Sequence, residues 1–372
     1  MNYTILTNMY PKEESLYRNV FIHRRVIEYV KRGLDIEVFV LDEGIKETKI
    51  YFFEGVKVIE GNKITFIEYT SKKKPTKILV HFINRHMIDG INSINEKIGI
   101  IVWIHLMEAI GWYRRLFNYK DGGFIKYILQ NTRQMLNLRR FIKKSSKRDI
   151  KFIFVSNWIK NTTQKDTFTK INNFEIIHNV VDTNLFQYEE KDLALRKKIL
   201  LIRPFESRKY ANDVAVEAII KLKKKSYFDQ LEFSIFGSGQ LFEKTVSPIR
   251  HLENVKIHNT YLKHNEIKDQ HSKHGIFLCP TRQDSQGVSM CEAMSSGLVP
   301  ITSKNSAIPE FVEHKLTGLI TQNAEGIVKE VDYLYNNPLV FSEISKNASA
   351  SMFTRCSPEK VINEEVNVII NE

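Results

Sequence analysis

The sequence predicts an α/β protein made of two doubly wound domains with largely parallel sheets. Three observations carry this. Short apolar runs alternate with segments of helical period along the chain. The alternation occurs twice, once on either side of a polar stretch near residues 184–197. And 372 residues are enough for two domains that each bury a core.

In the first half, Tyr3 to Thr7 reads as a strand. Tyr17 to Lys31 reads as a helix, with Val20, Phe21, Val26, Ile27 and Val30 apolar, and it stops at Gly33. Ile36–Leu41, Lys77–Phe82, Ile98–Ile104 and Ile150–Val155 are further strands. Runs this apolar belong to a parallel sheet covered on both faces. The second half repeats the plan. Lys198–Ile202, Leu231–Phe236, Val255–Ile257, Ile276–Leu278 and Leu298–Thr302 are strands, and Asp213–Lys223 is a helix. The expected division is 1–183 for a first Rossmann-like domain, 184–197 for a linker and 198–355 for a second Rossmann-like domain. A terminal helix in 356–372 is expected to pack back on the first domain. In sheets of this kind ligands bind beyond the carboxyl ends of the strands.

Composition narrows the class. A hydrophobic share of 42% and a charged share of 26% suit a globular protein. No run approaches the ~20 apolar residues of a membrane span. Met1–Asn8 lacks the basic-then-apolar order of a signal peptide and is expected to begin the first strand. Cys279, Cys291 and Cys356 are odd in number and lack paired spacing, which argues against a disulfide framework or zinc site and for a reducing cytoplasm. No G-x-x-x-x-G-K-[ST] run is present, which disfavours a P-loop enzyme.

The net charge of +12 favours anionic partners. From Gly122 to Arg148 there is no acidic residue, while Lys126, Arg133, Arg139, Arg140, Lys143, Lys144, Lys147 and Arg148 interleave with apolar residues at helical spacing. This is either a solvated helix packed on its domain or an amphipathic basic helix facing an anionic membrane or acceptor, through residues 124–148. Nucleic acid is not expected, because no recognised nucleic-acid motif accompanies the patch.

The most informative run is Cys279-Pro280-Thr281-Arg282-Gln283-Asp284-Ser285-Gln286-Gly287-Val288-Ser289-Met290-Cys291-Glu292. A strand stops at Pro280, a polar loop follows, and a helix starts near Val288. That order makes an anion-binding corner, because unpaired N–H groups and the helix dipole point into it. Asp284 sits at its mouth and Glu292 about one turn inside the helix. The alternative is a capping box, since Ser289-x-x-Glu292 has the spacing in which Glu292 only satisfies backbone donors. Gly287 is expected to let an anion approach the backbone closely.

Other runs align with this one: Ala293-Met294-Ser295-Ser296-Gly297-Leu298-Val299-Pro300-Ile301, then Ile308-Pro309-Glu310-Phe311-Val312 with Thr317-Gly318-Leu319-Ile320, and Ile176-Ile177-His178-Asn179-Val180-Val181-Asp182. Together they resemble the retaining glycosyltransferases of GT-B fold, in particular family four, whose motif is Glu-x7-Glu. The resemblance covers most of the chain, with Asp284 in place of the first Glu. It implies two facing Rossmann-like domains with a cleft between them. It implies that Glu292 binds the donor ribose and that Asp284, one methylene short, lies by the donor sugar. The backbone of Gln286, Gly287, Val288 and Ser289 then cradles the sugar and distal phosphate. Arg203 and Lys209, with Arg208 able to substitute for Lys209, neutralise the departing diphosphate. They are separated by one residue more than the family's usual spacing. Gly237-Ser238-Gly239 is expected to line the nucleotide pocket, and Thr260–His264 to pass near the base.

The same resemblance assigns the acceptor to the first domain and a sugar- or acceptor-positioning role to His105, with Glu108 a weaker candidate. The family's first loop carries a Gly pair; Asn8–Asn19 has none, and Arg18 and Asn19 are the substitutes. The implied reaction moves a hexosyl unit from a UDP- or GDP-linked donor to a lipid-linked or polymer glycan hydroxyl, as in bacterial surface polysaccharide assembly at the inner membrane face. The departing phosphate helps deprotonate the acceptor. No Asp-x-Asp occurs, which argues against metal-dependent GT-A transferases; no metal and no cofactor are expected. Two rival functions remain: a binding module assisting a partner transferase, and a nucleotide-sugar epimerase of the same fold.

Overall fold

Apolar runs with no polar face become central strands, since only a sheet covered on both sides buries every side chain of such a run. The computed structural model describes residues 1–15, 18–95, 97–120, 122–145 and 148–371. Tyr17, the expected start of the first helix, and Lys147 of the basic stretch lie outside the described residues. The chain divides into two compact units. The first comprises 1–116, 121–177 and 362–372, and the second 117–120 and 178–361.

The first unit is built on strands β1 (Asn2–Thr7), β2 (Asp35–Leu41), β3 (Lys49–Phe53), β4 (Val56–Gly61), β5 (Lys77–His81), β6 (Gly99–Ile104), β7 (Ile150–Phe154) and β8 (Phe174–Ile176). They lie in the order β3-β4-β2-β1-β5-β6-β7-β8. All pairs are parallel except the β3–β4 hairpin at one edge. Phe39, Phe66, Val102, Phe141 and Phe152 are among the side chains of its core. Helix Val20–Lys31 is the first described helix.

The second unit contains β9 (Lys198–Ile202), β10 (Glu232–Gly237), β11 (Val255–Asn259), β12 (Ile276–Cys279), β13 (Val299–Ser303) and β14 (Leu319–Thr321). Their order is β11-β10-β9-β12-β13-β14, parallel throughout. β9 lies between β10 and β12, so the loops that follow β9 and β12 emerge side by side.

The polar stretch 184–197 is packed on the second unit. Phe186 is buried and its carbonyl accepts from Ser295 Oγ at 2.7 Å, while Lys191 Nζ donates to the His271 carbonyl at 2.8 Å. The aliphatic stem of such a lysine is covered while its ammonium finds an acceptor. The last helix, Pro358–Asn371, contributes its residues from Ile362 onward to the first unit. There Glu365 accepts from Arg25 Nε at 3.0 Å, Tyr29 Oη at 2.6 Å and Trp103 Nε1 at 3.2 Å. Among the described residues no helix is long and apolar enough to cross a membrane.

Candidate functional site

In the second unit the strand ends carry the site. Helix Val288–Ser295 follows β12 and opens at Gly287, whose φ of 79° is left-handed. That conformation is nearly free for glycine and costs other residues about 1–2 kcal/mol. The glycine is therefore required by the turn itself, whether or not an anion approaches it. No side chain caps the helix. The Ser289-x-x-Glu292 capping box does not form, because Ser289 stands inside the helix, one residue beyond its first, and Gly287 is the cap. Gly287, having no side chain, takes none of the donors at this helix N-terminus.

Asp284 turns back on its own loop. Its Oδ1 accepts from the Gly287 N–H at 2.9 Å and the Gln286 N–H at 3.3 Å. A carboxylate this short reaches amides two and three residues on, the usual Asp turn. Two of the amides expected to cradle a ligand are thus held by the protein's own carboxylate. Gln286 is fully buried; its side chain accepts from the Asn179 N–H at 2.6 Å and donates to the Asn179 carbonyl at 3.0 Å. Glu292 and Val288 are half-buried.

Arg203 follows β9 and is only 3% exposed. Its Nη2 donates to the Cys279 carbonyl at 3.2 Å and its Nη1 to Ser289 Oγ at 3.4 Å, while Nε is buried without a partner. Among the described residues no carboxylate pairs with it. Arg203 thus bridges the end of β12 and the first turn of helix Val288–Ser295. Tyr210, which no sequence pattern marks, joins the two expected cations: the Arg203 guanidinium lies 5.7 Å and the Lys209 ammonium 4.7 Å from its ring centre. The loop bearing them is fastened to the β12 loop. The Lys209 carbonyl accepts from the Arg282 N–H at 2.7 Å and Thr281 Oγ1 at 3.0 Å, and Arg282 pairs bidentately with Asp213 at 2.8 and 2.6 Å.

Gly237 and Gly239 are explained by that same loop. A Cβ on Gly237 would overlap the Arg203 carbonyl oxygen, and one on Gly239 would fall 2.5 Å from the Phe205 carbonyl carbon. Without side chains there, Phe205 N–H reaches the Ser238 carbonyl at 2.8 Å. Tyr261 Oη also donates to that carbonyl, at 2.8 Å. A cavity of about 620 Å³ in this unit is lined by Phe205, Asp213, Leu241 and Arg282 among others; of the expected donor-binding residues it takes in only Arg208, the substitute for Lys209.

In the first unit His105 lies just past β6, buried, with Nε2 3.1 Å from Nδ1 of His81 at the end of β5. Phe82 and Phe21 pack on its ring at 4.5 and 5.3 Å, and Trp103 stacks on His81 at 4.9 Å. His81 Nε2 is buried with no partner. A lone pair left unmade costs less than an orphaned N–H, so the favoured tautomer has His81 Nδ1–H donating to His105 Nε2. His105 then carries its proton on Nδ1 and is a donor, not a base. Burial, then the Arg25 charge, holds His105 neutral and lowers its pKa to about 3. Burial, then His105 and Arg25, holds that of His81 well below its ordinary 6.5. Glu108 is structural: its carboxylate accepts from the His105 N–H at 2.6 Å and the Leu106 N–H at 3.1 Å, and burial raises its pKa. In the first loop Asn19 Nδ2 donates to Asn8 Oδ1 and the Met9 carbonyl, both at 3.2 Å, and Arg18 is exposed.

The two neutral histidines set an acid limit. Above pH ~6.5 both states are neutral; below it only the unfolded chain takes up the protons, so stability falls as pH falls, down to the folded pKa near 3 for His105. Each histidine costs about 1.4 kcal/mol per pH unit. Unfolding free energies from urea titrations at pH 7.5 and 5 are expected to differ by several kcal/mol, with a smaller gap in His105→Asn.

Comparison with known proteins agrees with this architecture. Sucrose-phosphate synthase from Thermosynechococcus elongatus superposes with a TM-score of 0.75 over 100% of this chain and 99% of its own, at 12% identity. The Anabaena HepE protein, solved with UDP-glucose, superposes at 0.71 over 100% of both chains, also at 12% identity. Residues 196–337 match the family model described as Glycosyl transferases group 1. The chain has the GT-B glycosyltransferase fold. The matched segment spans β9 to the end of helix Ala324–Asn336, so it holds Arg203, Lys209, Asp284 and Glu292 and leaves out His105. Alpha-monoglucosyldiacylglycerol synthase of Acholeplasma laidlawii is 25% identical over 154 residues, 41% of this GT-B chain and 38% of that protein. The amylovoran biosynthesis glycosyltransferase AmsK of Erwinia amylovora is 31% identical over 120 residues, 30% of this chain and 29% of that one. Each match spans less than two fifths of the curated relative.

Proposed function

We propose that the chain is a retaining, metal-independent hexosyltransferase that moves a sugar from a UDP- or GDP-linked donor to a hydroxyl on a lipid-linked or polymer glycan, at the cytoplasmic side of a bacterial membrane. The observation that carries this is Arg203: a buried guanidinium with no carboxylate partner among the described residues, bonded to the first turn of helix Val288–Ser295. A buried charge without a counter-ion is costly, and a diphosphate arriving at the helix N-terminus supplies one. The group 1 match over 196–337 and the likeness to a protein solved with UDP-glucose support a nucleotide-sugar donor. The glycolipid and polysaccharide enzymes among the relatives support the acceptor class.

In this reading Arg203 and Lys209, spaced by Tyr210, hold the diphosphate, and Glu292 accepts from the ribose hydroxyls. The backbone from Gln286 to Ser289 and the Asp284 carboxylate adjoin the sugar, and Gly237 borders the nucleotide. The bond from the anomeric carbon to the diphosphate breaks, the acceptor oxygen bonds to that carbon on the same face, and the departing phosphate takes the acceptor proton. The two cations stabilise the charge that develops on the leaving group. His105, protonated on Nδ1, donates to a substrate hydroxyl. No cofactor beyond the donor is needed.

One observation favours a second reading, a binding module without turnover: the Asp284 carboxylate is engaged by the amides of Gln286 and Gly287. The test separates the two. A nucleoside diphosphate at 100 times its Kd is expected to stabilise the protein by about 2.7 kcal/mol, read as a thermal shift among UDP, GDP and ADP. Glu292→Gln should reduce that shift, and labelled sugar should reach a glycan acceptor. A shift without transfer selects the binding module; no shift with any of the three nucleotides removes both readings. Donor turnover without an acceptor points to an epimerase.

A further inference from the structure

The glycosyl-transfer reading leaves the outer face of helix Phe124–Ser145 unused. Its inner face buries Asn131, Met135, Leu138, Phe141 and Ile142. Its outer face carries Ile125, Leu129 and Leu136, which are 77%, 59% and 48% exposed. Steps of four and seven residues put these three on one stripe. Lys126, Arg133 and Arg140, spaced by seven, form a second exposed stripe beside it, extended by Lys143 and Lys144. No acidic residue lies between Gly122 and Arg148.

A separate element adds to this face. Phe168 ends helix Asn157–Thr167 with φ 51° and is 78% exposed. A left-handed helix end suits glycine or asparagine, and a bulky ring there is unfavourable. Phe168 gains no core packing in return. Its ring lies 5.7 Å from the Arg139 guanidinium. Between Phe168, Leu136, Met135 and Trp112 runs a largely apolar groove of about 350 Å³. The acid at its border, Asp166, is fully engaged by the Gly111 N–H at 2.7 Å, Tyr113 Oη at 2.6 Å and Arg114 at 2.6 and 2.7 Å. That leaves the groove without a free negative charge.

We infer that this face docks on an anionic lipid bilayer, with Ile125, Leu129, Leu136 and Phe168 entering the acyl boundary, the groove taking part of one acyl chain, and the Lys/Arg stripe meeting lipid phosphates. The pairing of apolar and cationic stripes selects this occupant. A nucleic acid offers no apolar phase for side chains raised above a basic surface, whereas an anionic bilayer meets both stripes at once. Interfacial helices bind through buried apolar area plus attraction to anionic headgroups.

Flotation of the full chain with vesicles of phosphatidylcholine alone, and with added phosphatidylglycerol, tests this without any donor or acceptor. Its outcome is therefore independent of whether the chain transfers sugar. Binding is expected only with phosphatidylglycerol, and is expected to weaken with salt. Phe168→Gly relieves the left-handed residue, so it should fold at least as well as the parent, yet lose binding several-fold. The double charge reversal Arg133→Glu/Arg140→Glu should lose about tenfold or more. Unchanged binding by Phe168→Gly and Leu129→Gln, equal binding to neutral vesicles, or no binding to either vesicle each overturns the inference. So does capture of RNA by the parent with affinity unaffected by Leu129→Gln.

Discussion

Replacing Glu365 by Ala is expected to cost about 3–5 kcal/mol, the usual penalty for removing one partner of a buried ion pair. Glu365 is fully buried and Arg25 only 3% exposed. Removal strips an acceptor from Arg25, Tyr29 and Trp103 together. It also takes the buried carboxylate away from the Arg25 charge, beside His81 and His105, which burial first and that charge second keep neutral. Against a typical total of about 5–15 kcal/mol, the loss brings the first unit near the point of unfolding. Glu365→Gln keeps one acceptor oxygen and should cost less. Arg25→Met/Glu365→Leu removes both charges and should recover much of the loss, because a buried pair is expensive to break but cheap to replace with apolar groups. Urea titration of the three variants decides the matter; a loss below about 1 kcal/mol in Glu365→Ala would show that the pair is not a keystone of this core.

Glu365 also marks how far the sequence could be followed. Val361, Ile362, Val368 and Ile369 are buried on one face of the last helix, and Glu365 occupies the same face. A carboxylate inside an apolar stripe is a visible signal for a buried partner, though its identity, Arg25, is not visible. The central strands were legible because burial on both faces leaves them wholly apolar. The edge hairpin β3–β4 was not, because the apolar residues of Lys49–Phe53 do not alternate with polar ones, and Ile50 and Phe52 lie exposed at the sheet edge. β8 and β14 are three residues long, too short for a period. At the site, the strand–loop–helix corner was legible from Pro280 and Gly287. Its inner wiring was not. The letters Ser289-x-x-Glu292 fit a capping box equally well, and only the left-handed Gly287 places the helix start two residues earlier. That Asp284 would turn onto the amides of Gln286 and Gly287, or that Tyr210 would lie beside both Arg203 and Lys209, depends on loop geometry that no spacing encodes.

Arg203→Met is expected to move stability and activity in opposite directions. In the folded chain the Arg203 guanidinium gives up its hydration, a penalty of several kcal/mol for a buried ion. What it receives is modest: two neutral acceptors at 3.2 and 3.4 Å and an aromatic ring at 5.7 Å. A cation–π contact contributes about 0.5–2 kcal/mol and a hydrogen bond from a charged donor about 1.5–3 kcal/mol, with the 3.4 Å bond at the weak end. The sum barely offsets the penalty. Methionine fills similar space without a charge, so the unliganded variant should be as stable as the parent or about 1 kcal/mol more stable. Transfer should fall by about 10²–10³-fold, the loss typical of removing one donor that meets developing charge. The thermal shift with nucleoside diphosphate should shrink in step, since the missing counter-ion is what the ligand supplies. Residual stability, nucleotide shift and turnover measured on one preparation separate the possibilities. A variant that unfolds more easily and still binds nucleotide as the parent does would make Arg203 a structural strut, and the anion site would have to lie elsewhere. A variant that is stable, unresponsive to nucleotide and inactive is the signature of a charge kept buried for a ligand.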